Sequence, residues 1–220
     1  MDKNTQRAAT VASTKGFLLC LGVLCLAGVV VWFGYLQIFT KGLERLPATM
    51  CGGTLERDTV IDILPPAKSA HESSRQSDYG SHYTRYSCFI NTSKSALSST
   101  TEVRSITKEA WLKNYAEDTT GVPVVRASAA GIEAVAPLRS HGSEAAVLVP
   151  CVPPGQKASS STTYAVVTQV TVDDNTRKSG MELRQDLTDF AYRLAQHTYD
   201  LAQCQDPREF PTTLPRYEAK

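Results

Sequence analysis

Cys51, Cys88, Cys151 and Cys204 carry the plainest chemistry in this 220-residue chain. Thiols at C-x-x-C or C-x-x-H spacing would suit zinc, but neither spacing occurs here. An even number of widely spaced cysteines beyond a long apolar run instead suits disulfides in an oxidising compartment. Four thiols allow three pairings. Cys51–Cys88 and Cys151–Cys204 are preferred, because each joins neighbouring elements within one half of the chain. Each bond would add ~3–4 kcal/mol by restricting the unfolded chain.

No other constellation announces a reaction. The chain has no G-x-S-x-G, no H-E-x-x-H, no phosphate-cradling loop and no dinucleotide fingerprint. Of the four histidines, His71, His82 and His141 fall in loop-like or loop-edge segments, and His197 lies at the edge of an apolar helix face. Asp173-Asp174 lacks the spaced carboxylates of a calcium loop and reads as a solvated turn. Glu182, Asp186 and Asp189 read as the wet side of a helix. No catalytic, cofactor-binding or metal-ligating residue is assigned, and no cofactor is expected. Asn91-Thr92-Ser93 has the form of a glycosylation sequon and otherwise reads as a turn.

The element that would place the cysteines is GFLLCLGVLCLAGVVVWFGYLQIF, residues 16–39. It carries no charge from Phe17 to Phe39, is longer than a signal-peptide core, and has Trp32 and Tyr35 suited to a lipid–water boundary. It reads as a retained transmembrane helix with the lipid bilayer as its partner. Lys3, Arg7 and Lys15 precede it, so residues 1–15 are expected to be a cytoplasmic tail, with everything beyond about residue 40 extracytoplasmic. Cys20 and Cys25 lack the small preceding residues of a lipid-attachment site, and Leu46-Pro47-Ala48-Thr49 is a linker rather than a sorting signal. The net charge of +1 offers no basic field, so nucleic acid is not expected as a partner.

Residues 40–53 form a tether, 54–206 an α+β domain and 207–220 a loose tail. Within the domain, Thr54 reads as the N-cap of a short helix ended by Pro65-Pro66, and positions 67–81 as an exposed loop. Strands are expected near Tyr83–Asn91, Thr100–Thr107, Ala145–Cys151 and Tyr164–Val172. Helices are expected over Lys108–Glu117 and Met181–Gln203, the second with Leu183, Leu187, Phe190, Leu194 and Leu201 on one face. Positions 118–130 look irregular, and Ile132–Leu138 is a short apolar run without a clear type. Ser98-Ser99-Thr100-Thr101 echoes Ser160-Ser161-Thr162-Thr163, which suits either two β-β-α repeats or chance similarity in serine-threonine-rich loops. Either way the pattern predicts an antiparallel sheet with helices packed on one face.

CGGTL before a short helix, the Tyr-Ser-Cys-Phe strand, AAVLVPC and a long helix ending in AQC resemble a group of actinobacterial single-pass or secreted proteins with paired cysteines. They are similar to the cysteine-containing domains of secreted lipoproteins. The resemblance implies a cell-envelope location and brings no activity with it. The expected function is therefore an envelope binding or scaffolding domain for an unknown protein or ligand. The alternatives are an envelope hydrolase or sensor of unfamiliar type, or an accessory subunit of a membrane complex.

Overall fold

The computed structural model describes residues 21–35, 41–78, 84–116, 122–139, 143–157 and 163–217. A first helix, α1, is described over residues 21–35, and a short 3-10 turn follows at Leu43–Arg45. Strands β1 (Thr49–Met50) and β2 (Leu55–Glu56) form a small hairpin leading into α2 (Arg57–Ile63). The main sheet is antiparallel and contains β3 (Ala70–Asp78), β4 (Thr84–Thr92), β5 (Ala96–Ser105), β6 (Val124–Ala129), β7 (Ile132–Pro137), β8 (Ser143–Pro150) and β9 (Tyr164–Val172). Their spatial order is β3-β4-β5-β9-β8-β7-β6. Helix α3 (Lys108–Ala116) follows β5, and α4 (Gly180–Leu201) follows β9.

Strand alternation gives the sheet two different faces. On the inner face Val147 and Val149 of β8 and Val166 and Val170 of β9 join a core with Leu183, Leu187, Phe190 and Leu194 of α4. Burying each such leucine contributes ~1.5–3 kcal/mol. The N-terminal lobe covers the other half of that face, packing Met50, Leu55, Val60 and Ile63 near Tyr86, Cys88 and Ile90 of β4. On the outer face α3 seats Trp111, only 2% exposed, on Val135, Ala146, Leu148, Ala165 and Val167. An ion pair from Lys108 to Glu133 of β7 fixes the start of that helix.

The expected fold is corrected in two respects. First, no helix among the described residues is long and apolar enough to cross a membrane, which overturns the N-terminal transmembrane helix over residues 16–39. The cytoplasmic tail expected at 1–15 lies outside the described residues. Second, the helices lie on both faces of the sheet, α4 on the inner and α3 on the outer. Two β-β-α repeats would put each helix on the same face of its own half, so this arrangement is not a duplication of that unit.

Smaller differences have local causes. Thr54 donates its hydroxyl to the Cys51 carbonyl at 2.7 Å, a turn contact, and α2 begins after Glu56 without a side-chain cap. The polar stretch expected as a loop at 67–81 contains β3, an edge strand whose side chains stay largely in water and so show no alternation. The region expected to be irregular contains β6, paired to β7 through the two-residue turn Ala130-Gly131, both with positive φ. The tail expected to be loose is packed down: Leu214 is buried, and Phe210 meets the rings of Tyr192 and Tyr199.

Two outcomes test this core. Replacing both Cys151 and Cys204 by serine should cost ~2–5 kcal/mol of stability, read in urea melts as a lower midpoint with a steeper slope, because the unlinked unfolded chain exposes more surface. Thr101 and Thr168 face one another across β5 and β9, both fully buried, with no hydrogen-bond partner for either hydroxyl among the described residues. Thr101→Val with Thr168→Val should therefore raise stability by ~1 kcal/mol, read by calorimetry.

Candidate binding surface

The cysteines act as staples. Cys51 is bonded to Cys88 with the Cα atoms 5.5 Å apart, and Cys151 to Cys204 at 5.3 Å. The first bond ties the N-terminal lobe to β4. The second ties the end of β8 to the end of α4, where Gln205 adds hydrogen bonds to the carbonyls of Pro153 and Gln156. Such bonds belong to an oxidising, extracytoplasmic compartment. Cys25 remains a free thiol, exposed on α1.

Glu72 sits beside the first disulfide, accepting the Cys51 N–H at 3.5 Å and lying 3.7 Å from Cys88 Sγ. The three side chains are close enough to resemble a metal site. Both sulfurs are spent in the S–S bond, however, so no thiolate is present to ligate and Cys88 has no S–H to donate. His197 packs edge-on against Tyr86 at 5.3 Å. Gly52 lies under this histidine at φ +69°, and a Cβ there would come within 2.6 Å of His197 Nε2. The ring therefore needs a glycine at that point of the tether.

The other residues singled out from the sequence take structural positions. Asp173 accepts the Ala96 N–H at 2.9 Å and Asn175 donates to the Lys94 carbonyl at 3.1 Å, so the Asp173-Asp174-Asn175 turn is bound to the β4–β5 hairpin. Glu182 and Asp186 pair with Lys178 at 3.3 and 2.8 Å, and Asp189 accepts from Gln185 at 2.9 Å. The hydrogen bond to Asp186 is the main reason that the Lys178 ammonium is held above its ordinary pKa. His71 lies on β3 and Asn91 is exposed on β4, while His82 and His141 lie outside the described residues.

What the sequence reading missed is a bare half of the outer face. Helix α3 covers β7, β8 and part of β9, and no other described element covers β3, β4 and β5 on this face. The register places Ser73, Phe89, Ser98 and Thr171 in one row across these strands. The next row holds Arg75, Ser87, Thr100 and Gln169. Phe89 is 40% exposed, a large ring left standing among hydroxyls. Ser98 and Thr171 share a hydrogen bond at 2.7 Å. Glu102 is shared by Arg85 at 3.9 Å and Arg104 at 3.3 Å. Arg75 adds a third guanidinium group to this face, and Glu144 of β8 stands at its border as a second carboxylate, accepting from Gln169 at 2.8 Å. A depression of about 420 Å³ lies between Arg75, Arg85 and Phe89. The available signal was the alternation around Cys88, which sends Phe89 to the face opposite the core.

A second feature lies at the far end of the sheet. A groove of about 770 Å³ runs along β6, walled by Leu138, Met181 and Pro215. Its C-terminal wall is fixed at Tyr217, whose hydroxyl is 2.8 Å from that of Thr188 and whose N–H donates to Gln185 at 3.1 Å. Arg184 closes the neighbouring end, donating to the carbonyls of Pro137, Gly180 and Arg139.

Comparison with family models, with curated proteins and with solved structures finds no match for this chain. The surface must therefore be read from its own chemistry.

Burial pushes the Tyr217 phenol up to about 12, whereas an unfolded tyrosine ionises near ~10. The folded state thus holds its proton more tightly. The contribution is fully present below pH ~10 and is lost as pH rises from there toward the folded value. Urea melts should show stability falling across that window, and Tyr217→Phe should flatten the fall.

Proposed function

We propose that this chain is an extracytoplasmic binding module of the cell envelope, and that the open half of its outer sheet face holds an anionic, hydroxyl-rich polymer. The observation that carries this reading is the surplus of arginine on that face, where Arg85 and Arg104 share Glu102 and Arg75 lies beside Arg85, in a field of serine and threonine hydroxyls. Guanidinium groups pair well with carboxylate and phosphate. The hydroxyl rows suit the polar groups of a sugar or polyol chain, and Phe89 offers an apolar surface for a ring to rest on. A flat, exposed site suits holding an extended polymer better than closing around a small substrate.

The apolar residues of 16–39 give the chain a lipid bilayer as its second partner. Those described stand exposed, with Leu24 at 70% and Val31 at 71%. A helix apolar on all sides is unfavourable in water, and contact with lipid relieves that cost. The near-neutral charge of the chain gives no support to nucleic acid as a partner. For the hydrolase reading, neither His71 nor His197 is hydrogen-bonded to a hydroxyl or carboxylate among the described residues, so binding is the better-supported role.

The test uses the whole chain in mild detergent with poly(glycerol phosphate) and with neutral dextran. The anionic polymer should bind more tightly, and high salt should weaken it. Arg75→Glu with Arg85→Glu should cut its affinity by about tenfold or more, since each tenfold corresponds to ~1.4 kcal/mol. Equal binding of the two polymers, or no effect of the double variant, would refute the assignment to this face.

A further inference from the structure

The groove along β6 has a chemistry of its own, and the inference drawn from it stands without the outer-face reading. Strand β6 is the last of the seven-stranded sheet. Its register on β7 is set by the Ala130-Gly131 turn, which closes on the pair Ala129–Ile132. In a two-residue hairpin that closing pair is hydrogen-bonded, and the bonded pairs then alternate. Ala129, Ala127 and Val125 therefore spend their backbone groups on β7, as Pro123 does on the Leu138 N–H at 2.8 Å. The N–H and C=O groups of Val124, Arg126 and Ser128 point away from the sheet. Among the described residues no backbone group takes them up.

The surroundings of this edge differ from those of β3 at the opposite end. Edge strands are normally blunted by charge, as β3 is with Glu72, Arg75 and Asp78. Strand β6 instead carries Val124, Val125 and Ala127 beside the apolar wall of Leu138, Met181 and Pro215. The groove's charged lining side chains are Arg126 and Arg216, both exposed and both without an ion-pair partner among the described residues. Leu214 and Tyr217 hold the far wall in place from either side of Arg216, so the groove is preformed.

We propose that the free edge of β6 accepts an extended, acidic segment of a partner protein as an eighth strand. Backbone hydrogen bonds to Val124, Arg126 and Ser128 would hold the strand in register. Alternate side chains of the strand would enter the apolar groove, and carboxylates would meet Arg126 and Arg216. A second copy of this chain fits less well. Two β6 strands paired antiparallel through their outward residues Val124, Arg126 and Ser128, centred on the middle one, would set Arg126 opposite Arg126, and like charges directly opposite one another are destabilising.

The experiment uses the full chain in mild detergent and two end-blocked fluorescent peptides, one alternating valine and glutamate, the other valine and lysine. Anisotropy should show the glutamate peptide binding at least about tenfold more tightly. Amide chemical shifts should change at Val124, Arg126 and Ser128. Arg126→Glu should abolish that preference. Arg126→Pro removes an outward N–H without touching the β7 ladder, and should end binding of either peptide while leaving thermal unfolding nearly unchanged. If Arg126→Pro does not fold, Arg126→Glu decides alone. Equal binding of the two peptides, a glutamate preference that survives Arg126→Glu, or shifts confined to residues outside β6 would overturn the proposal. A concentration-dependent dimer that Arg126→Glu strengthens or leaves intact, and that competes with the peptide, would assign the edge to self-association instead.

Discussion

The seating of α4 on β8 and β9 is the contact on which the rest of the molecule depends. Leu187, Leu194, Ala191 and Ala195 are fully buried there, against valines that are equally buried. That layer fixes which side of the sheet is inner. It also brings Cys204 over Cys151, so that a covalent bond closes the same layer at its far end. The helix then serves as a rail for the C-terminal segment, through Tyr192 to the Pro211 carbonyl and Thr188 to Tyr217. Without α4 in place, the groove beside β6 would have neither its Met181 nor its Pro215 wall.

A sheet of seven strands presents more surface than its three main helices can cover. The inner face is filled from two directions, by α4 over the β8–β9 half and by the N-terminal lobe over β4. Among the described residues the outer face has only α3, and the side chains change where that cover stops. Under α3 the strands carry Val135, Leu148 and Val167. Beyond it they carry mainly serine, threonine, glutamine, arginine and glutamate, with Phe89 as a large apolar exception. Polar rows at an uncovered face keep the sheet in water without aggregation. The same rows create a surface able to hold polar ligands, so stability and binding draw on one pattern.

How far the sequence could be read depended on whether burial was local in origin. The periodicity of Leu183, Leu187, Phe190 and Leu194 marks α4 directly, because one face of a helix meets one core. Tyr164–Val172 shows plainly because nearly all of that strand is buried. Strand β3 escaped notice because an edge strand with both faces largely wet has no alternation to display. Strand β6 was hidden because only Ala127 of its six residues is buried, and its pairing depends on the Ala130-Gly131 turn. The tail after Pro207 looked loose because Leu214 and Tyr217 are isolated anchors, and each needs a distant pocket to become one. The apolar run at 16–39 showed its chemistry at once, but not the extent of helix that the structure describes.

The sequence by itself determined the oxidising compartment, the strands around Cys88 and Cys151, and the long C-terminal helix, because each rests on composition or period within a short window. The tertiary structure alone decided that α3 and α4 take opposite faces, that three arginines share one bare half-sheet, and that β6 ends the sheet beside an apolar groove. Those facts concern residues far apart along the chain. Which strand becomes an edge, and which face a helix leaves uncovered, is settled only when the whole sheet competes for the same few covering elements.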